Sequence, residues 1–197
     1  FHNAGQTCDA YSRVLVHEDR HDEFVERLVA RAEDLQVGDP LDPDTEIGPL
    51  IDGQRHEAVQ SHVDRAIESG ATPARYPDET SLPSNYFPPT VLDEVTTESR
   101  VSREEVFGPV EVITSFENYD QAVELANRTK YGLAAAVGTE DMELAHRAAR
   151  DIDAGSVYIN YSGPNPLGAP FGGYEQSGVG RELSRDAILD YMNEKSI

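Results

Sequence analysis

Short apolar runs of strand length alternate with segments of helical periodicity along this chain, and that alternation constrains the fold more than any single residue does. Tyr11-Ser12-Arg13-Val14-Leu15-Val16 reads as a buried strand. Phe24, Val25, Leu28, Val29, Ala32 and Leu35 follow at helical spacing, with Asp19 as the expected N-cap and Gly38-Asp39-Pro40 as the stop. A second helix is predicted after Gly48-Pro49-Leu50-Ile51-Asp52. Its inner stripe is Ala58, Val59, His62, Val63, Ala66 and Ile67, and Gly70 is its C-cap candidate. Residues 71–84 are polar and contain proline, so an exposed excursion is expected. Residues 86–92 read as an edge strand, because Pro88 and Pro89 lack the N–H that a central ladder needs. Strands are then predicted over 111–116, 132–137 and 155–160, and helices over 119–127, 142–150 and 181–190. This succession implies an α/β fold with a mostly parallel sheet flanked by helices. Sites in such sheets are expected beyond the carboxyl ends of strands, where Asn160 falls.

The chain has 197 residues, enough to bury a real core in one large domain or two small ones. Its formal charge is −21, with 37 acidic residues against 16 cations, of which only Lys130 and Lys195 are lysines. Such a surface repels phosphate backbones and argues against nucleic-acid binding. Clear apolar periodicity argues for a folded acidic surface and against disorder. An acidic, lysine-poor surface fits a salt-rich medium that screens self-repulsion, which suggests a halophile. No apolar run is long enough to span a bilayer. A single cysteine excludes an internal disulfide framework, and an exposed thiol suits a reducing cytoplasm.

That cysteine, Cys8, is the first candidate site residue. A lone cysteine is often a small buried hydrophobe. Here it stands among Asn3, Gly5, Gln6, Thr7 and Asp9, and Gly5 permits a sharp turn just before it. His17-Glu18-Asp19-Arg20-His21 spells H-E-x-x-H, which binds zinc when both histidines share a helical face. A strand–helix junction within the motif separates them, and no later histidine stands out as a third ligand. In Arg103-Glu104-Glu105-Val106-Phe107-Gly108-Pro109-Val110, a carboxylate two residues before an aromatic is suited to a diol beside a flat ring, although solvated carboxylates before a turn read equally simply. The glycine-rich loop over 164–180 lacks G-x-G-x-x-G and no strand immediately precedes it, so a Rossmann phosphate loop is not indicated.

Taken together, Phe1-x-Asn3-x-Gly5-Gln6-x-Cys8, the Glu104-Glu105-x-Phe107-Gly108-Pro109-Val110 stretch and the loop from Pro170-Phe171-Gly172 onward resemble the NAD(P)-dependent aldehyde dehydrogenases, in the family's order and across essentially the whole chain. The resemblance implies oxidation of an aldehyde to a carboxylic acid with NAD or NADP. Cys8 would be the nucleophile, carrying first a thiohemiacetal and then a thioester. Glu105 would hold the nicotinamide ribose hydroxyls, Phe107 would pack near the nicotinamide, and Gln54 would contact the adenosine side. Phe171 would line the substrate channel, as would His2, which stands where many relatives place an aromatic. It also implies a homodimer or homotetramer. Residues 1–190 would be a catalytic thiol domain incomplete at its start, and 191–197 the beginning of a strand that joins subunits. The general-base glutamate, the side-chain oxyanion donor and the dinucleotide-binding domain are expected in sequence preceding this chain. Glu57 and Glu175 depart from the pattern, standing where lysine is frequent. Two other classes remain open: a zinc hydrolase built on His17, Glu18 and His21, with stoichiometric metal, and an inert oligomerising fragment that binds no NAD.

The charge balance predicts that the thermal midpoint rises between low and molar potassium chloride. Equal midpoints in both salts would refute the halophilic expectation.

Overall fold

The computed structural model describes residues 1–77, 82–161 and 163–196. Its chain divides into two compact units, Phe1–Leu125 and Ala126–Ile197.

The first unit is built on a four-stranded sheet ordered β1-β4-β3-β2, comprising β1 (Arg13–His17), β2 (Thr72–Arg75), β3 (Thr90–Asp93) and β4 (Val110–Phe116). β1 pairs with β4 in parallel from Arg13 opposite Val112, and β3 pairs with β4 in parallel from Thr90 opposite Val110. Only β2 runs antiparallel, against β3. The sheet is thus mostly parallel, as the alternation implied.

Helices cover both faces. Consecutive strand residues point to opposite sides, and the core divides accordingly. Leu92 and Val112 face a cluster with Val59, Val63 and Ala66 of helix α2 (Gly53–Glu68). Their neighbours Val91 and Ile113 face Ala32, with Val25, Leu28 and Val29, of helix α1 (His21–Asp34). This two-sided burial explains why the strands read as continuous apolar runs. Phe87, Leu92 and Ile113 are essentially inaccessible, and each contributes about 1.5–3 kcal/mol through burial. Ion pairs on helix surfaces, such as Arg27 with Glu23 at 2.7 Å, contribute roughly 0.3–0.5 kcal/mol each, so packing dominates.

The sequence expectations need three corrections here. β3 is central, not an edge: Pro88 and Pro89 end just before Thr90, whose N–H donates to Pro109 O at 2.8 Å. The supposed excursion contains the true edge strand β2, with Pro73 on it, while residues 78–81 lie outside the described residues. Asp19 does not cap α1. It lies in a 3-10 turn, Glu18–Arg20, where its N–H donates to His17 Nδ1 at 3.2 Å. His62 is buried on the inner face of α2 as expected, and its Nδ1 has no partner among the described residues; desolvation, then the charge of Arg100, lower its pKa and favour the neutral ring. Gly70 does follow α2 in the left-handed region (φ +100°), with its N–H on Ile67 O at 3.0 Å.

A short helix α3 (Arg100–Arg103) precedes β4, and α4 (Tyr119–Asn127) ends just beyond the division between units. In the second unit, β6 (Ala134–Val137) and β7 (Ser156–Ile159) pair in parallel across helix α5 (Met142–Asp151). Asp141 caps α5, accepting from Glu143 N at 2.8 Å and Leu144 N at 3.2 Å. β5 (Tyr131–Gly132) pairs antiparallel with β8 (Tyr174–Glu175), so the run expected as one strand over 132–137 serves two partners. The helix expected over 181–190 is a shorter 3-10 segment, Arg185–Tyr191. Glu182 is engaged in a bridge to Phe171, and Leu183 has φ +62°, so no helix can begin earlier. Residues 192–196 form no regular element, and Ile197 lies outside the described residues. No described helix is long and apolar enough to cross a membrane.

His21, at the start of α1, bonds Asp93 at the end of β3 at 2.8 Å and Asp22 at 3.1 Å. Its bond to Asp22, then that to Asp93, raises its pKa above the ordinary 6.5, against desolvation. A raised histidine pKa stabilises the fold most below the unfolded value, and that contribution fades as pH rises through the folded one. The melting-temperature gap between the parent protein and His21→Gln should therefore be largest below about pH 6.5 and shrink at higher pH. A gap constant with pH would refute the linkage.

Candidate active site

Cys8 follows a tight turn that few sequences permit. Asn3, Ala4 and Gly5 all have positive φ, at 52°, 55° and 71°. Left-handed backbone is unfavourable for most residues, while Asn tolerates it and Gly is free of the penalty. The turn is closed by Gln6 N–H on Asn3 O and Asn3 Nδ2 on Gln6 O, both at 3.1 Å. Ala4 is buried beneath it, and Cys8 emerges exposed. The sulfur is not walled in by aliphatic side chains.

The same turn lies against the Glu105–Pro109 segment. A Cβ added to Gly5 would stand 1.9 Å from Gly108 O, so the two backbones are in direct contact. Gly108 is itself pressed on α2, where a Cβ would stand 2.5 Å from Val59 Cγ2. Two distant parts of the sequence are thus held together three residues before Cys8 and one after Phe107.

Glu105 is exposed, and its carboxylate has no partner among the described residues. Phe107 is half-buried between the buried Val106 and Gly108, with φ +53°. A non-glycine residue in that region is strained, and such strain concentrates at functional sites. The Arg55 guanidinium lies over the Phe107 ring, 5.8 Å from its centroid. Arg55 stands on the first turn of α2, where Asp52 caps the helix by accepting from Arg55 N at 2.7 Å. Gln54, the residue singled out on this turn, is exposed, and it is its neighbour that reaches the ring. A planar cation one helix position from a candidate gave no sequence signal of its own. Glu57 lines a shallow surface groove on α2 with Gln60, Asp64 and Glu68, away from Cys8.

His2 is exposed on the turn before Cys8. Phe171 belongs to the second unit, where it is half-buried and bridged to Glu182 through bonds of 2.9 and 2.7 Å. Arg181 shapes that loop: its Nη1 donates to Gly173 O at 2.9 Å and Gly180 O at 2.8 Å, and its guanidinium lies 5.6 Å from the Tyr174 ring centroid.

The candidate residues of the first unit do not stand at the carboxyl ends of its strands, where sites in such sheets are expected. Cys8 precedes β1 and the Glu105–Phe107 segment precedes β4, and because these strands are parallel both lie at the amino end of the sheet. Asn160 does follow the carboxyl end of β7, but its side chain is engaged on both sides by Thr139, accepting from its N–H at 2.9 Å and donating to its carbonyl at 2.8 Å. The H-E-x-x-H motif does not assemble. His17 ends β1, edge-on to Phe116, while His21 opens α1 bonded to Asp93.

Comparison with known proteins agrees with the motif order. The family model described as the aldehyde dehydrogenase family matches residues 1–197. The chain belongs to that family. The betaine aldehyde dehydrogenase of Mesorhizobium japonicum is 41% identical over 201 residues, covering 100% of this chain and 41% of its own length. The succinate-semialdehyde dehydrogenase [NADP(+)] of Deinococcus radiodurans is also 41% identical, over 99% of this chain and 41% of its own length. A crystal structure of betaine aldehyde dehydrogenase from Staphylococcus aureus in complex with NAD+ superposes with a TM-score of 0.89 at 40% identity, covering 96% of this chain and 38% of that one. This aldehyde dehydrogenase chain therefore spans about two fifths of the length of the curated relatives it matches. Relatives named for different aldehydes match it equally well, so overall similarity does not single out one aldehyde.

Proposed function

We propose that the chain is the thiol-bearing part of an enzyme that oxidises an aldehyde to a carboxylic acid with NAD+ or NADP+. Residues 1–190 would form its catalytic thiol domain, and the 191–197 segment, irregular over 192–196 in the single chain, would become a strand only on joining a partner subunit. The observation that carries this reading is the Gly5–Gly108 contact, which brings the turn before an exposed thiol against the turn bearing Glu105 and Phe107.

The residues present fit a nicotinamide dinucleotide. A free, exposed carboxylate at Glu105 suits ribose hydroxyls, and the Phe107 ring, half-buried beside it, suits a flat heteroaromatic. Gln54, exposed on the first turn of α2, would serve the adenosine side. When bound, the dinucleotide supplies the hydride acceptor.

The chain's own part begins at Cys8. Its thiolate, the nucleophilic form, adds to the aldehyde carbon, and the carbonyl electron pair moves to oxygen. The oxyanion is met by the Cys8 backbone N–H and by a donor from sequence beyond this chain; one such donor lowers the barrier by about 3 kcal/mol. Loss of hydride from the same carbon leaves a thioester on Cys8. Water then cleaves the carbon–sulfur bond, releasing the acid and returning the thiol, with a base from beyond this chain taking the water's proton. His2 and Phe171 would border the aldehyde. A free thiol suits a cytoplasmic setting. Ile188 and Leu189, each 62% exposed on the Arg185–Tyr191 segment, suit assembly into a homodimer or homotetramer.

In the intact protein, Cys8→Ala should abolish aldehyde-dependent reduction of NAD+ or NADP+; retained turnover would refute the nucleophile. Glu105→Gln should slow single-turnover hydride transfer by about tenfold or more through a slack ribose contact. A parental single-turnover rate would count against Glu105.

A further inference from the structure

Gln6 stands between the Gly5 contact and the thiol, and its side chain reaches out of the turn while keeping one bond within it. Its Oε1 accepts from Ile51 N at 2.9 Å, and its Nε2 donates to Pro49 O at 3.3 Å and to Asn3 O at 3.3 Å. The amide therefore pairs with the 49–51 backbone much as a neighbouring strand would. Leu50, between those two partners, is buried, and its N–H is held by Asn85 O at 2.8 Å. Asp52 then caps α2, which carries Arg55 over Phe107 and Val59 against Gly108. The local bonds between Asn3 and Gln6 suffice to close the turn. The Gln6 amide ties it by hydrogen bonds to the 49–51 segment, 43 and 45 residues away in sequence, on the flank opposite the Gly5 contact with Gly108.

We propose that Gln6 is a positioning residue that fixes Cys8 relative to the Glu105–Phe107 turn, by clamping the thiol turn to the backbone entering α2. The proposal rests on the dehydrogenase reading for its effect on turnover, and on geometry alone for its effect on the thiol. Gly5 anchors one flank of the turn and Gln6 the other. With the clamp gone, the Gly5 contact remains as a pivot about which the thiol can swing. An amide is required, because one head group must present both an acceptor to Ile51 N–H and a donor to Pro49 O. A carboxylate of the same shape sets an acceptor against the Pro49 carbonyl.

The test uses Gln6→Glu and Gln6→Met in the intact protein. Three readings are taken: alkylation of Cys8 by iodoacetamide without dinucleotide or aldehyde, steady-state kinetics, and the melting temperature. Both variants should change the alkylation rate by about threefold or more, since thiol reactivity follows its surroundings. They should lower kcat about tenfold while KM for the dinucleotide stays within about twofold, because the thiol and not the ribose contact is displaced. A lower melting temperature with parental alkylation and parental kcat would make Gln6 merely structural and overturn the proposal. Should Gln6→Met fail to fold, Gln6→Glu decides on the same criteria. If the parent itself oxidises no aldehyde, the dehydrogenase reading fails and the alkylation arm still decides the role of Gln6.

Discussion

No side chain fits between Gly5 and Gly108, and the arrangement of the first unit follows from that closeness. A Cβ on Gly5 would overlap the Gly108 carbonyl, and one on Gly108 would overlap Val59. Two glycines thus stack three elements, the thiol turn and the turn entering β4 at backbone distance, and that turn directly on the Val59 side chain of helix α2. The geometry has a cost. Asn3 and Ala4 take the left-handed conformation, which disfavours non-glycine residues by roughly 1–2 kcal/mol each. Burial of Ala4 and the Asn3–Gln6 bonds, at about 1 kcal/mol per hydrogen bond, offset much of it. Phe107 carries comparable strain on the other side of the contact. Among the described residues of the first unit, three of the four non-glycine residues with positive φ thus lie where the thiol, the free carboxylate and the ring are held, and the regular sheet beneath supplies the rigidity that keeps them there.

That sheet can do so because both its faces are sealed. The register that sends Leu92 and Val112 toward α2 sends Val91 and Ile113 toward α1, so a shift of one residue would exchange the two cores. The amino ends of β1 and β4 are fixed by the same pairing, Arg13 against Val112, and the turns that enter them are fixed in turn. The candidate groups lie on those entering turns. A rule that places sites at carboxyl ends describes sheets whose helices follow each strand toward a ligand, and the first unit instead carries its candidate groups on the segments leading into the strands.

Much of this was legible in the sequence, and the misses have physical causes. The helix over 119–127, the inner stripe of α2 and the parallel character of the sheet all came from periodicity. The thiol and Glu105–Phe107 segments came from motif resemblance, and periodicity alone would have left them as loops. Proline logic was sound but applied to the wrong strand: Pro73 marks the real edge, β2, while Pro88 and Pro89 stop short of the β3 ladder. The short strands β2, β5 and β8 are too brief for alternation to register. The contacts of Gln6 with Pro49 and Ile51, and of Arg55 with Phe107, depend on tertiary placement, which local pattern does not encode.

The scarcity of cations in so acidic a chain makes their placement informative. Several arginines are directed at backbone carbonyls or aromatic rings: Arg13 to Leu125 O at 2.6 Å, Arg75 to Pro89 O, Arg103 to Thr97 O at 3.0 Å, Arg181 to Gly173 O, and Arg55 over Phe107. A planar guanidinium can bond a carbonyl and stack on a ring, whereas an ammonium is a strongly hydrated point charge. Contacts of this kind, made to dipoles and, for Arg13, Arg75 and the Arg181 bond to Gly173, partly buried, lose little to added salt, while the exposed ion pairs on α1 are screened. Salt screens the self-repulsion of a surface of −21 charge without dissolving ties of this kind. The few cations therefore hold loops and turns in place, Phe107 among them, where neutralising the surface would have required many more.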